Sequence, residues 1–124
     1  MTELMADSFA FIALFEGNER YRKIFLSREI YTTALNVMEV YATLLRRLDK
    51  KEALKFAKAV FKHVIDVPSE NAFKAAEFRR WMAGEKKDCS TVDAWGYSAA
   101  KAFGIKFLTG DPAFKDVENV EFVR

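Results

Sequence analysis

The chain has a single cysteine, Cys89, and a single histidine, His63. One cysteine excludes an internal disulfide, and the two residues together cannot furnish a zinc site of Cys and His ligands. The lone thiol fits a reducing compartment. Glycine and proline are scarce, five and two in 124 residues, so connections should be short and most of the chain regular. No apolar run approaches the roughly 20 residues needed to span a membrane. No repeat, low-complexity tract or linker interrupts the sequence. Its start carries the acids Glu3 and Asp7 rather than the basic opening of a secretory signal. The expectation is one domain over residues 1–124, cytoplasmic and without a membrane partner. Excess charge is lacking too: 20 basic against 18 acidic residues leave a net +2, which neither demands nor forbids nucleic acid.

Apolar residues, by contrast, are plentiful. They make up 51% of the chain, with 12 phenylalanines. Either the core is dense with aromatics or an apolar face is kept for a partner, a second copy included. The aromatic-rich stretches Tyr21 to Phe25 and Lys51 to His63 are the candidates for such a dimer face. Basic residues gather at Arg46, Arg47, Lys50 and Lys51, at Arg79 and Arg80, and at Lys86 and Lys87. Such runs supply solvated helix ends or phosphate affinity, and alone identify no partner.

Short apolar segments alternate with helical stretches. Leu4 to Ala6 reads as a strand ending at Asp7, followed by a helix over Ser8 to Phe15 that Gly17 stops. Asn18 can cap a second helix through Tyr21 to Phe25. Ile30 to Thr33 has strand composition, Asn36 to Leu48 and Lys51 to His63 read as helices, and Val64 to Val67 as a strand closed by Pro68. A helical run follows from Glu70 through Trp81 to near Gly84. Ser90 to Phe103 predicts a helix with Ser90 as N-cap, Asp93 at the capping-box position and Gly104 as the stop. Ile105 to Thr109 and Val120 to Val123 are the last strands. Strands separated by helices require parallel crossovers, hence an α/β fold with a central parallel sheet and helices on both faces. Ligands in such sheets bind at the carboxyl ends of the strands.

That rule singles out acids. Asp7 follows the first strand, and it reads equally as an N-cap. Asp111 follows the Ile105 to Thr109 strand, and Gly110-Asp111-Pro112 is also good turn chemistry. Glu39 shares a helical stripe with Asn36, Thr43, Arg46 and Arg47, which either faces solvent or lines a groove. Asp93 has Ser90, Gly96, Tyr97 and Ala100 as helical neighbours. A carboxylate among small residues is partly buried, and either capping or a cation accounts for it. Asp66 sits after an edge strand and Asp88 falls outside the face of the Ser90 helix, so both are set aside. Carboxylates gathered at one edge need a counter-charge. Mg²⁺ or Mn²⁺ suits all-oxygen ligands and serves phosphodiester hydrolysis.

Three stretches carry a resemblance: Met5-Ala6-Asp7-Ser8-Phe9-Ala10-Phe11-Ile12-Ala13-Leu14, then Thr33-Ala34-Leu35-Asn36-Val37-Met38-Glu39-Val40-Tyr41, then Ser90-Thr91-Val92-Asp93-Ala94 continuing to Leu108-Thr109-Gly110-Asp111-Pro112-Ala113-Phe114. In order and spacing they resemble the PIN-domain family, in particular its VapC-type toxins of bacteria and archaea. The resemblance implies a Mg²⁺- or Mn²⁺-dependent endoribonuclease with metal-binding acids at Asp7, Glu39, Asp93 and Asp111. It implies supporting hydroxyls at Ser8 and Thr109, an RNA substrate, a homodimer and a cognate antitoxin protein. Phe9 departs from the family pattern, where many relatives carry a small or polar residue. Other readings are an RNA-processing nuclease, a PIN-like RNA- or protein-binding module without activity, and a phosphoacceptor domain modified at Asp66. The last would want paired acids after the first strand, where Asp7 stands between Ala6 and Ser8.

Overall fold

A computed structural model describes residues 3–124. Four short strands form one sheet: β1 (Glu3–Ala6), β2 (Glu29–Tyr31), β3 (Lys106–Thr109) and β4 (Val120–Phe122). Their order is β2-β1-β3-β4, and every pair is parallel. Six α-helices supply the crossovers: α1 (Ser8–Phe15), α2 (Glu19–Ser27), α3 (Ala34–Leu45), α4 (Lys50–Phe61), α5 (Asn71–Gly84) and α6 (Thr91–Phe103).

The helices begin where short polar side chains can replace missing backbone partners. Asn18 accepts from the N–H groups of Arg20 and Tyr21, Asp49 from Glu52, and Ser90 from Asp93. Gly104 stops α6 at φ 73°, a left-handed conformation that glycine adopts without a Cβ clash.

The period-two alternation of strand side chains divides the core between the two faces. Leu4 and Ala6 of β1 and Leu108 of β3 pack with Phe11, Tyr21, Val40, Leu44 and Val60 from α1 to α4. Met5 and Phe107 point the other way, against Met82, Tyr97, Ala100 and Phe114. Much of the aromatic content is thereby consumed inside: Phe11, Tyr21, Phe107 and Phe114 are fully buried. Leu26, Phe61, Phe73 and Trp81 nevertheless stay exposed. In the first proposed dimer face, Tyr21 is buried, and Phe25 packs edge-on against Phe11 at 5.2 Å.

One expected strand does not form. Val64 to Val67 contributes a single bridge, Thr32 to Val64. The N–H of Thr32 donates to His63 and that of Ile65 to Thr32. The ladder ends there, because the chain bends toward Pro68, whose carbonyl accepts from Asn71 at the entry to α5. Asp66 is exposed beyond this bridge.

Candidate active site

The chain runs from β1 to β2 on one side of β1, then returns to place β3 on the other. The crevice at the carboxyl ends of β1 and β3 is therefore a topological switch point, where open parallel sheets bind ligands. Asp7 leaves β1 at this point, and its N–H donates to the Leu108 carbonyl at 3.1 Å.

Capping and burial coexist at Asp7. Its Oδ1 accepts from the Ala10 N–H at 2.9 Å and so caps α1, while its Oδ2 accepts a short hydrogen bond from the Thr109 hydroxyl. Thr109 Oγ1 in turn accepts from the Asp111 N–H at 3.0 Å. Asp111 caps the single 3₁₀ turn Pro112–Phe114 through a 3.0 Å bond from the Ala113 N–H. One threonine thus ties the acid after β1 to the acid after β3.

Asp7 is 1% exposed. Burial above all holds its carboxyl well above the usual carboxylate range, and the charges of Asp93 and Asp111 push the same way. The bonds from Thr109 and Ala10 oppose them. Asp93, half-buried in the first turn of α6, has its pKa raised to about 6. Burial leads there too, followed by the charge of Glu39, with smaller pushes from Asp111 and Asp88. The nearby Ser90 hydroxyl, which accepts from the Asp93 N–H at 3.1 Å, works against the rise. Asp7, Glu39, Asp93 and Asp111 thus lie within electrostatic reach of one another in a linked series. Asp88, set aside on spacing, is exposed, yet its charge reaches Asp93.

Among the described residues no Lys or Arg forms an ion pair with any of these four acids. Nor do any three His, Cys, Asp or Glu side chains converge closely enough to ligate one ion on their own. The all-oxygen donor set and the uncompensated charge fit a hard divalent cation. The open spacing fits one that takes one or two carboxylates and keeps several waters, as Mg²⁺ does.

Several residues around the acids were not singled out by sequence. Asn36, expected on a polar stripe with Glu39, is completely buried. Its Nδ2 donates to Ser8 Oγ at 3.1 Å and its Oδ1 accepts from Thr33 Oγ1 at 2.7 Å. The Ser8 hydroxyl is therefore engaged by α3, while Thr109 is the hydroxyl that touches Asp7. Asn36 pins the first turn of α3, one turn before Glu39, to the residue beside Asp7. The burial of Thr33 with it could have been suspected from the paired threonines, but not the partner.

Phe9 closes the other side. Its ring lies 6.0 Å from that of Tyr21, and the Arg124 guanidinium sits 5.7 Å above it. A Cβ added at Gly110 would lie 2.3 Å from the Phe9 ring and 2.5 Å from the Val123 carbonyl oxygen. Gly110 is therefore demanded by close packing rather than by its backbone conformation, which is not left-handed. Arg124 donates to the Gly110 carbonyl at 2.6 Å, and the Tyr21 hydroxyl to that of Val123 at 2.5 Å.

An all-parallel sheet with helices on both faces defines an α/β domain, and it gathers carboxylates at its switch point. The family model for the PIN domain matches residues 4–120, and the chain belongs to that family. The fold is similar to that of VapBC2 from Rickettsia felis, solved with a DNA fragment from its promoter: TM-score 0.76, 16% identity, 98% of each chain covered. DNA-bound VapBC from Salmonella typhimurium gives 0.76 at 17% identity, covering 99% of this chain and 98% of that one. Mycobacterium tuberculosis VapC20, described as a sarcin-ricin loop cleaving toxin, gives 0.69 at 20% identity over 83% and 85% of the two chains. No curated protein sequence matches significantly. Among the described residues no helix is long and apolar enough to cross a membrane.

Proposed function

We propose that the chain is a Mg²⁺- or Mn²⁺-dependent endoribonuclease whose site comprises Asp7, Glu39, Asp93 and Asp111. The observation that carries this reading is Asp7: a carboxyl at the switch point raised chiefly by burial and further by the charges of Asp93 and Asp111, with no Lys or Arg paired to it among the described residues. Asp7 and Asp93 would hold the ion, with Asp111 and Glu39 receiving its waters. Bound there, the ion supplies an activated water and a counter-charge for the scissile phosphate. Thr109 keeps Asp7 and Asp111 in register. Asn36 holds the first turn of α3, and with it Glu39, against the site. Ser8 acts through Asn36.

Membership of the PIN family and the likeness to toxin–antitoxin structures support a toxin held silent by a cognate antitoxin protein. A second copy is the expected homodimer partner, with the exposed Leu26 and Phe61 as its candidate apolar contacts.

The test is cleavage of a structured RNA pool with Mg²⁺ or Mn²⁺, with Asp7→Asn and EDTA as controls. Metal-dependent cutting lost in the variant is the expected result. A folded wild type that cuts nothing under either metal would favour a binding module without activity.

A further inference from the structure

The basic pair Arg79 and Arg80 and the nearby Lys87 find no role in the acid site itself. They meet in a groove of about 450 Å³ between the end of α5 and the start of α6. Asp88, Cys89 and Thr91 also line it. Two of the three cations are fixed by backbone carbonyls. Arg79 Nε donates to the Cys89 carbonyl at 2.8 Å, and Lys87 Nζ to that of Ala113 at 3.3 Å. Lys87 reaches Ala113 because Lys86 adopts φ 59°, a left-handed turn that reverses the chain at the end of α5. The N–H groups of Lys86 and Lys87 close that turn on Ala83 and Met82.

None of the four acids lines the groove, but two of its residues border groups that bond them. Ala113, which Lys87 contacts, donates its own N–H to Asp111. Thr91 follows Ser90, the cap that touches Asp93. A polyanion entering here would pass from three cations to the carboxylates within a few residues, and one of the three, Arg80, makes no hydrogen bond or ion pair among the described residues. Asp88 on the rim is the one opposing charge among the groove residues.

We infer that the groove bearing Arg79, Arg80 and Lys87 is the phosphate track that leads single-stranded RNA to the acid site. The inference rests on the reading of that site as an RNA nuclease. Arg79, oriented by Cys89, offers its planar fork to one backbone phosphate and Arg80 to the next. Lys87 keeps the loop carrying Asp111 beside the track. These contacts carry affinity and register, not sequence choice.

Binding measured without cleavage separates the two ideas. A labelled single-stranded RNA oligonucleotide is titrated with the full chain in EDTA over a range of salt, by fluorescence anisotropy. Each phosphate contact on a single strand contributes about 0.7 to the slope of log K against log salt. The double variant Arg79→Gln, Arg80→Gln should lower the slope by about 1.4, twice that per-phosphate value. Arg79→Gln also releases the Cys89 carbonyl. Arg80→Gln alone, which removes no such bond, should therefore lower the slope by about 0.7 with an unchanged melting temperature. Lys62→Gln, after α4 on the opposite face of the sheet, should leave the slope as it is.

Unchanged slopes in both groove variants would overturn the inference even if the wild type cuts RNA. So would a wild type that binds no RNA. Loss of poly-glutamate binding in place of RNA binding would overturn it in favour of an acidic protein segment. A wild type that binds RNA with the expected slopes but never cuts would leave the track standing and remove the nuclease.

Discussion

Replacing Asp93 by Asn should stabilise the metal-free chain near neutral pH, although it removes a residue proposed for the site. Burial and the charge of Glu39 raise the Asp93 pKa from 3.8 to about 6. At about 1.4 kcal/mol for each tenfold change, this corresponds to about 3 kcal/mol against the ionised folded state. Asp93 keeps some contact with water, and its charge gains a little from the α6 N-terminus. The net gain in Asp93→Asn is therefore about 1–2 kcal/mol, or roughly 4–8 °C in Tm for a chain of this size. The sign follows from proton uptake. Well below the unfolded pKa both states are protonated and Asp93 costs nothing. As pH rises, the unfolded chain ionises first, so the penalty grows until it is complete above about pH 6. At about pH 4.5 the gain should shrink to about a third of its value at about pH 7.5. Urea unfolding in EDTA at both pH values reads it directly. A destabilised variant, or a gain equal at both, would refute the reasoning.

Two further substitutions probe the walls of the site. Gly110→Ala forces a Cβ into the Phe9 ring and the Val123 carbonyl, so either Phe9 must leave its place under Arg124 or β4 must shift. A loss of about 1–3 kcal/mol in denaturant unfolding is expected, and Phe9→Ala in the same chain should recover part of it. Asn36→Ala strands the buried Ser8 and Thr33 hydroxyls and should cost about 2–3 kcal/mol by the same assay. A change within 0.5 kcal/mol, an ordinary surface value, would mean that the network does not tie α3 to the site.

The sequence made the sheet and its helices legible because their signals are local. Apolar pairs before Asp7 and Thr109 mark the central strands. Asn18, Ser90 and Gly104 mark helix ends by hydrogen bonding and by left-handed backbone, neither of which depends on distant residues. The strand-end acids were legible for a similar reason, since topology alone brings the ends of β1 and β3 together. What depended on partners distant in sequence was hidden. Val64 to Val67 has strand composition, yet only Val64 finds a pairing partner. Asn36 looks like a surface residue until α3 is laid against α1. Gly110 reads as a turn glycine, whereas Phe9, some hundred residues earlier, leaves it no room for a side chain. The same holds for the basic groove, whose cations are three unremarkable helix-end charges until the left-handed Lys86 folds Lys87 back toward Asp111.

The account stands on the acids holding a divalent ion, and diffraction from a Mn²⁺-soaked crystal tests that most directly. An anomalous peak in contact with the carboxylates of Asp7 and Asp93, absent from Asp7→Asn crystals treated alike, is the predicted result. A well-ordered wild-type site with no peak, or a peak held elsewhere and unaffected by Asp7→Asn, would contradict it.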